Sequence, residues 1–284
     1  MQTTIMRPVS CYGIGTHSGK TTQLTLEPAE KNTGIIFVRT DVSAVTNVVE
    51  SSYLNVTETT MATTIENDAK VKISTIEHLL AALWGCGIDN VIVKIDGPEV
   101  PIMDGSSKPF VFLIECAGTK FLNAPKKLIK ITRDISLINK DSEIHITPSD
   151  SFFLDVNIEF ASKAIGKQSM SLADRALFKD DVASARTFGF VHELEYLKNQ
   201  GLAKGASLEN AIGIDKDTIM NPEGLRFENE FARHKLLDSI GDFYTVGCNF
   251  QGKFLSKKPG HHVNNIMLRY ILENPNNFEI CSEN

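Results

Sequence analysis

Residues 231–242 read FARHKLLDSIGD. Leu236, Leu237, Ile240 and Phe243 recur at helical spacing and would share one face of a helix. His234, Asp238 and Asp242 follow one another at intervals of four and fall on the opposite face. A solvated helix face mixes Lys and Glu freely, whereas a metal-ligand set needs a His and a carboxylate one turn apart. The spacing fits both. EHLLAALWG (77–85) and RHKLLDSIG (233–241) each place a His early in a Leu-rich helix that ends in Gly. The echo is short, and it is consistent with two similar halves, each presenting one helix to a shared site.

The earlier helix, STIEHLLAALWG (74–85), carries Ile76, Leu79, Leu80 and Leu83 as one apolar stripe. Its other side holds His78, Ala81, Ala82 and Gly85, small and uncharged. A helix that is apolar or small nearly all round is expected to be buried, so Glu77 and His78 need polar partners there. Glu77 also has a purely structural reading: with Ser74 as N-cap, it completes a Ser-x-x-Glu capping box. Taken alone, His78 reads as a hydrogen-bonded core histidine.

Outward from these helices, strands and helices mix without a steady strand–helix–strand rhythm, which predicts an α+β fold. VSCYGIG and TTQLTLEPA flank THSGK as the strands of a hairpin. GTHSGKTT is not a phosphate loop: Gly15 leaves three residues, not four, before Gly19-Lys20, and Leu24 and Leu26 then alternate as in a strand. DNVIVKID reads as a strand and FVFLIECAG as a short helix. Around 120–127, NAPKK has linker character and marks a domain boundary. Beyond it come strands (LIKITRDISLI, EIHITP, FFLDVNIEF), a helix at HELEYLKNQG, the 231–242 helix, and a terminal helix from about Asn264 to Glu273.

The 284 residues suffice for two domains, and 42% hydrophobic with 23% charged residues is ordinary globular composition. The net charge of −6 and the lack of a long Lys/Arg run argue against a nucleic-acid partner. The five cysteines are scattered with no CxxC, which argues against a disulfide framework or a Cys-ligated zinc and points to a reducing compartment. MQTTIMRPVS has no apolar signal-peptide core, and no apolar run approaches a membrane span. A cytoplasmic enzyme or binding protein is expected.

Combining the two helices changes the reading of their polar residues. His78, His234 and Asp238 make a two-His, one-carboxylate set, which suits Zn²⁺ and leaves its fourth position open. Such an ion activates water and polarises a carbonyl. Glu77, beside a ligand, would be the base, as in HExxH enzymes. GHHVNN (260–265) offers a His on a Gly-preceded loop as the acid.

TIEHLLAALWGCGIDNVIVKIDGPEVPIMDGS, ARTFGF, GLAKGASLENAI, GLRFENEFARHKLLDSIGD and GHHVNN, in that order, resemble the UDP-3-O-acyl-N-acetylglucosamine deacetylase family. These are the zinc enzymes of the committed step of lipid A synthesis in Gram-negative bacteria. GIGTHSGK and LTLEPAEKNTGIIF resemble it too, so the likeness covers nearly the whole chain. It implies His78, His234 and Asp238 as zinc ligands, with Fe²⁺ an alternative metal in the cell. It implies Glu77 as the base, His261 as the acid and Asp242 as the carboxylate that orients it. Thr187 would bond the developing oxyanion, and Lys235 and Lys258 would lie near the carboxamide or diphosphate of the substrate. Phe190 to about Ile214 resembles the family's acyl passage, with Phe188, Phe190, Leu194, Ala203 and Ser207 as lining residues. His262 stands where the family usually has a small or apolar residue. His17 lies in the N-terminal motif and is expected near the substrate, while His145 and His192 read as surface or packing residues.

The resemblance further implies two similar domains, 1–123 and 124–284, each a sheet layer with helices packed between layers, with the site at their interface. The expected substrate is a UDP-linked acylated amino sugar, taken by a cytoplasmic monomer without stable membrane insertion. Two other classes are weighed: a zinc amidase acting on a small amide, and a noncatalytic sugar-nucleotide binding protein with a structural metal.

Overall fold

In the computed structural model, which describes residues 1–283, strands Val9–Ile14 and Thr21–Pro28 pair antiparallel, with Val9 opposite Leu26 and Ile14 opposite Thr21. GTHSGK is therefore the hairpin turn that the alternation of Leu24 and Leu26 predicts. Every second residue is buried in Ile35–Arg39 and Val91–Ile95, the period of a strand with one face on the core. One sheet runs Val9–Ile14, Thr21–Pro28, Val91–Ile95, Ile35–Arg39, Val48–Glu50. Its one parallel pair, Ile35–Arg39 with Val91–Ile95, is bridged by a long connection that contains the first helix.

A second sheet of seven strands draws only on residues 126–283. Its hub is Asn249–Lys257. Residues 249–251 pair parallel with Lys126–Ile131, and 252–257 pair with Ser142–Thr147 on one side and Phe152–Glu159 on the other. The strand Phe278–Glu283, which the sequence reading does not include, pairs antiparallel with Lys126–Ile131. Thr3–Ile5 pairs with Thr119–Phe121 and closes the N-terminal part of the chain. The fold is α+β.

The helices are α1 (Glu77–Cys86), α2 (Lys108–Ala117), α3 (Phe178–Asp181), α4 (Val191–Asn199), α5 (Glu230–Phe243) and α6 (His261–Leu272). Among the described residues, no helix is long and apolar enough to cross a membrane. Helix α1 is buried on all sides from Glu77 to Gly85, as its small, uncharged second face predicts. Both faces of α5 are buried as well, so its His-Asp-Asp stripe is not a solvated face. On one side α5 packs on α1, and on the other on strands Phe152–Glu159 and Lys167–Leu172.

Three sequence expectations change. The capping box does not form. Thr75 adopts φ 58°, the chain turns there, and α1 begins at Glu77 with Ile76 as N-cap. Ser74 instead accepts a hydrogen bond from the Thr64 hydroxyl at 2.9 Å. The echo holds at one end only: α1 stops at Gly87, which caps it in the left-handed conformation, as an end near Gly85 or Gly87 predicts, whereas α5 runs on past Gly241. A Cβ at Gly241 would stand 2.1 Å from the Glu77 carbonyl oxygen, so only glycine lets the two helices cross this closely. Finally, α6 begins at His261 rather than near Asn264, so that His opens a helix after the extended Gly260 instead of riding a loop.

Candidate metal centre and its cleft

The crossing at Gly241 sets the ends of α1 and α5 face to face, and the polar residues of both helices meet in the gap. His78, His234 and Asp238 are all buried, and their ligand atoms lie within 4.8 Å of one another. Asp238 Oδ1 is 3.3 Å from His234 Nε2 and 3.6 Å from His78 Nε2. Two donors about 2.0–2.1 Å from a tetrahedral ion stand roughly 3.3–3.4 Å apart, so this set fits a divalent cation.

The surroundings aim these groups. His234 Nδ1–H donates to the Ala185 carbonyl at 3.1 Å, which fixes the tautomer and leaves Nε2 free as a ligand. Burial pushes the His234 imidazole down to about 3, so it stays neutral, as a ligand must. The Lys235 ammonium holds the other oxygen of Asp238, Oδ2, at 3.0 Å. Burial opposes the charge on Asp238, but the Lys235 ammonium and a hydrogen bond from His78 help to hold the carboxyl well below its usual range. The Ser107 hydroxyl donates to the His78 carbonyl at 2.7 Å and anchors α1 at the ligand.

Beside the ligands lies an acid–base group. His261 Nδ1 is 3.0 Å from Asp242 Oδ2, and its Nε2 faces Glu77 Oε1 at 3.9 Å. Asn264 Nδ2 donates to Asp242 Oδ2 at 2.8 Å. Burial raises the Glu77 carboxyl toward neutrality. Burial also opposes charge on His261, but the Asp242 and Glu77 carboxylates overcome it and push the imidazole up to about 9. The pair is thus poised with Glu77 able to take a proton and His261 already holding one.

Glu77 and His78 form part of the wall of a cleft of about 310 Å³. Thr187, Phe188, Phe190, Leu194, Ala203 and Ser207 also line it. Thr187 is fixed by its main chain, with N–H on the Gly105 carbonyl at 2.8 Å and its carbonyl accepting from Ile212 at 2.7 Å. Helix α4 and the 203–213 segment form an apolar wall. His17 joins the lining, as its place in the N-terminal motif predicts.

Lys258 is elsewhere. It sits in a second groove with Lys167 and Lys257, 3.4 Å from Asp141 and 3.9 Å from Glu159. His262 is exposed, with Nδ1 3.4 Å from the Thr59 hydroxyl, away from Asp242. His145 bonds Ser136 at 2.6 Å, and the exposed His192 packs beside Phe190. Asn264, Ser107 and Thr63 are site residues to which the sequence reading gave no role. Asn264 belongs to the GHHVNN motif that carries His261; Thr63 and Ser107 stand in no motif of that kind.

The family model for UDP-3-O-acyl N-acetylglycosamine deacetylase matches residues 2–273. The chain is 44% identical over 280 residues to the UDP-3-O-acyl-N-acetylglucosamine deacetylase of Phenylobacterium zucineum strain HLK1, covering 98% of this chain and 96% of the relative. It is 42% identical over 284 residues to the enzyme of the same name from Shewanella oneidensis strain MR-1, covering 99% and 92%. A third relative of that name, from Shewanella sp. strain ANA-3, matches equally well, at 42%.

Proposed function

The chain belongs to the UDP-3-O-acyl N-acetylglycosamine deacetylase family, and from that premise we infer a hydrolase of lipid A biosynthesis that removes the N-acetyl group of a UDP-linked, 3-O-acylated N-acetylglucosamine. The observation that carries the inference is a three-residue ligand set and a carboxylate–imidazole pair that meet behind one apolar cleft, with His78 and Glu77 on its wall. A cation held by three protein ligands keeps a position open for chemistry, whereas a structural zinc site uses four. That favours catalysis over the structural-metal reading.

His78, His234 and Asp238 would hold the ion; two imidazoles and a carboxylate suit zinc and would accept iron as well. Bound there, it polarises the amide carbonyl and acidifies water. Glu77 accepts the proton of the attacking water. Thr187 donates its hydroxyl to the oxygen on which charge develops. His261, as the imidazolium, gives its Nε2 proton to the departing nitrogen while Asp242 holds Nδ1–H. One C–O bond forms, the C–N bond breaks, and acetate and a free amine leave. Lys235 steadies Asp238 and adds positive charge beside the site.

The acyl chain lies along Phe188, Phe190, Leu194, Ala203 and Ser207. Lys258, in a separate groove with Lys167 and Lys257, is the basic residue we assign to the diphosphate end of the substrate. We read the chain as two units, 1–123 and 124–284, with Glu77 and His78 from the first and the remaining groups from the second. The confinement of each larger sheet to one of these ranges supports that division. In this reading the protein works as a cytoplasmic monomer.

The test is acetate release from UDP-3-O-acyl-N-acetylglucosamine by the purified protein and by Leu194→Glu. The wild type is expected to deacetylate, and the charge placed on the apolar wall of the cleft to raise KM for the acylated substrate tenfold or more. Wild-type protein that releases no acetate would overturn the function. A Leu194→Glu variant with unchanged KM would point instead to an amidase acting on small amides.

A further inference from the structure

We propose that Thr63 is a positioning residue that ties the base and the acid of the site into one hydrogen-bonded unit. Thr63 is 2% exposed and belongs to neither helix. Its main-chain N–H donates to Glu77 Oε2 at 3.0 Å. Its hydroxyl donates to Asp242 Oδ1 at 2.6 Å. Glu77 opens α1 and Asp242 lies near the end of α5, so a third segment spans the two helices at the reacting groups.

Each bond does a separate job. The N–H pins one oxygen of Glu77 and leaves Oε1 facing His261. The hydroxyl acts on the carboxylate behind the acid. Asp242 accepts from His261 on both oxygens, from Asn264 on Oδ2, and from Thr63 on Oδ1. Donors on opposite oxygens fix the plane of a carboxylate, and that plane aims the imidazole. Without the hydroxyl, Asp242 Oδ1 keeps only its share of the bifurcated bond and the carboxylate can rotate. Thr63 is itself held in place: the next residue, Thr64, starts a strand and bonds Ser74 at 2.9 Å. The Thr63 carbonyl also accepts from the N–H of Ile76, the N-cap of α1, at 3.4 Å, so the backbone of Thr63 is fixed on both sides and its hydroxyl is aimed at Asp242.

Thr63→Val removes the hydroxyl and keeps both shape and N–H, whereas Thr63→Ser keeps the hydroxyl. The expected result for Thr63→Val is a fall in kcat of roughly tenfold to a hundredfold, the scale of a misaimed catalytic group. KM, metal content and thermal midpoint should stay near wild type. Thr63→Ser should recover kcat to within about threefold. In proton NMR, the downfield resonance of the His261 Nδ1 proton should shift or broaden in Thr63→Val and stay in place in Thr63→Ser.

The kinetic arm rests on the deacetylase reading, and the NMR arm does not, so failure of the function and failure of this link are distinguishable. Thr63→Val with wild-type kcat and an unmoved Nδ1 resonance would overturn the proposal. Equal losses of kcat and thermal midpoint in both variants would overturn it as well, because they would mark a packing role.

Discussion

His261 is caught between two carboxylates in a buried place, and its protonation follows from which neighbour dominates. Burial alone would strip its proton; Asp242 and Glu77 restore it and raise the imidazole to about 9. A raised histidine keeps its proton below that value and loses it above. Turnover that needs the imidazolium should therefore hold through neutral pH and fall as pH rises through about 9. Asp242→Asn removes the principal raising charge, so the alkaline limb of the kcat/KM profile should move down toward or below the ordinary histidine value of about 6.5. A pH–rate profile of the two proteins checks this; an unmoved limb would mean that another group sets it. At this scale the sequence was a good guide where spacing within one helix carries the information. His234, Asp238 and Asp242 can be placed on one face by counting, and His78 by the echo of the same pattern. Thr63 could not be found that way, because its bonds reach partners 14 and 179 residues further along the chain.

Helices α1 and α5 show what an element contributes beyond its residues. The chemistry depends on how closely they cross, and Gly241 sets that distance by leaving room for the Glu77 carbonyl. Gly241→Ala would place a methyl 2.1 Å from that oxygen. The helices must then part, at a cost of about 1–3 kcal/mol in stability. Because the contact is with Glu77 itself, kcat should fall with stability. Chemical denaturation and steady-state kinetics on the same sample read both, and a variant as stable and active as wild type would contradict the close crossing. Most elements were legible from periodicity and turn residues, including the 9–28 hairpin, α2, α4 and α5. The errors fell at ends. A left-handed Thr75 starts α1 later than Ser74 suggests, and α6 reaches back to His261, where no apolar repeat marks it. The strand Phe278–Glu283 lies beyond the last helix that the pattern marks and is recognisable only by its pairing with Lys126–Ile131.

Over the whole molecule, the site gathers Thr63, Glu77, His78, Asp238, Asp242 and His261 from segments remote in sequence. No local pattern encodes that convergence; only the long order of motifs shared with the family made it legible. Burial does the rest of the work: it keeps His234 neutral, lifts Glu77, and leaves each charge dependent on a partner. In the proposed function, neighbours divide the labour: His78 holds a metal and Glu77 moves a proton. The measurement that tests it most directly is metal content and turnover of Glu77→Gln beside His78→Ala. Glu77→Gln is expected to keep a full complement of metal while kcat falls about 10²–10⁴-fold, and His78→Ala to lose metal and activity together. Glu77→Gln that turned over like wild type, or His78→Ala that kept both its zinc and its activity, would contradict it.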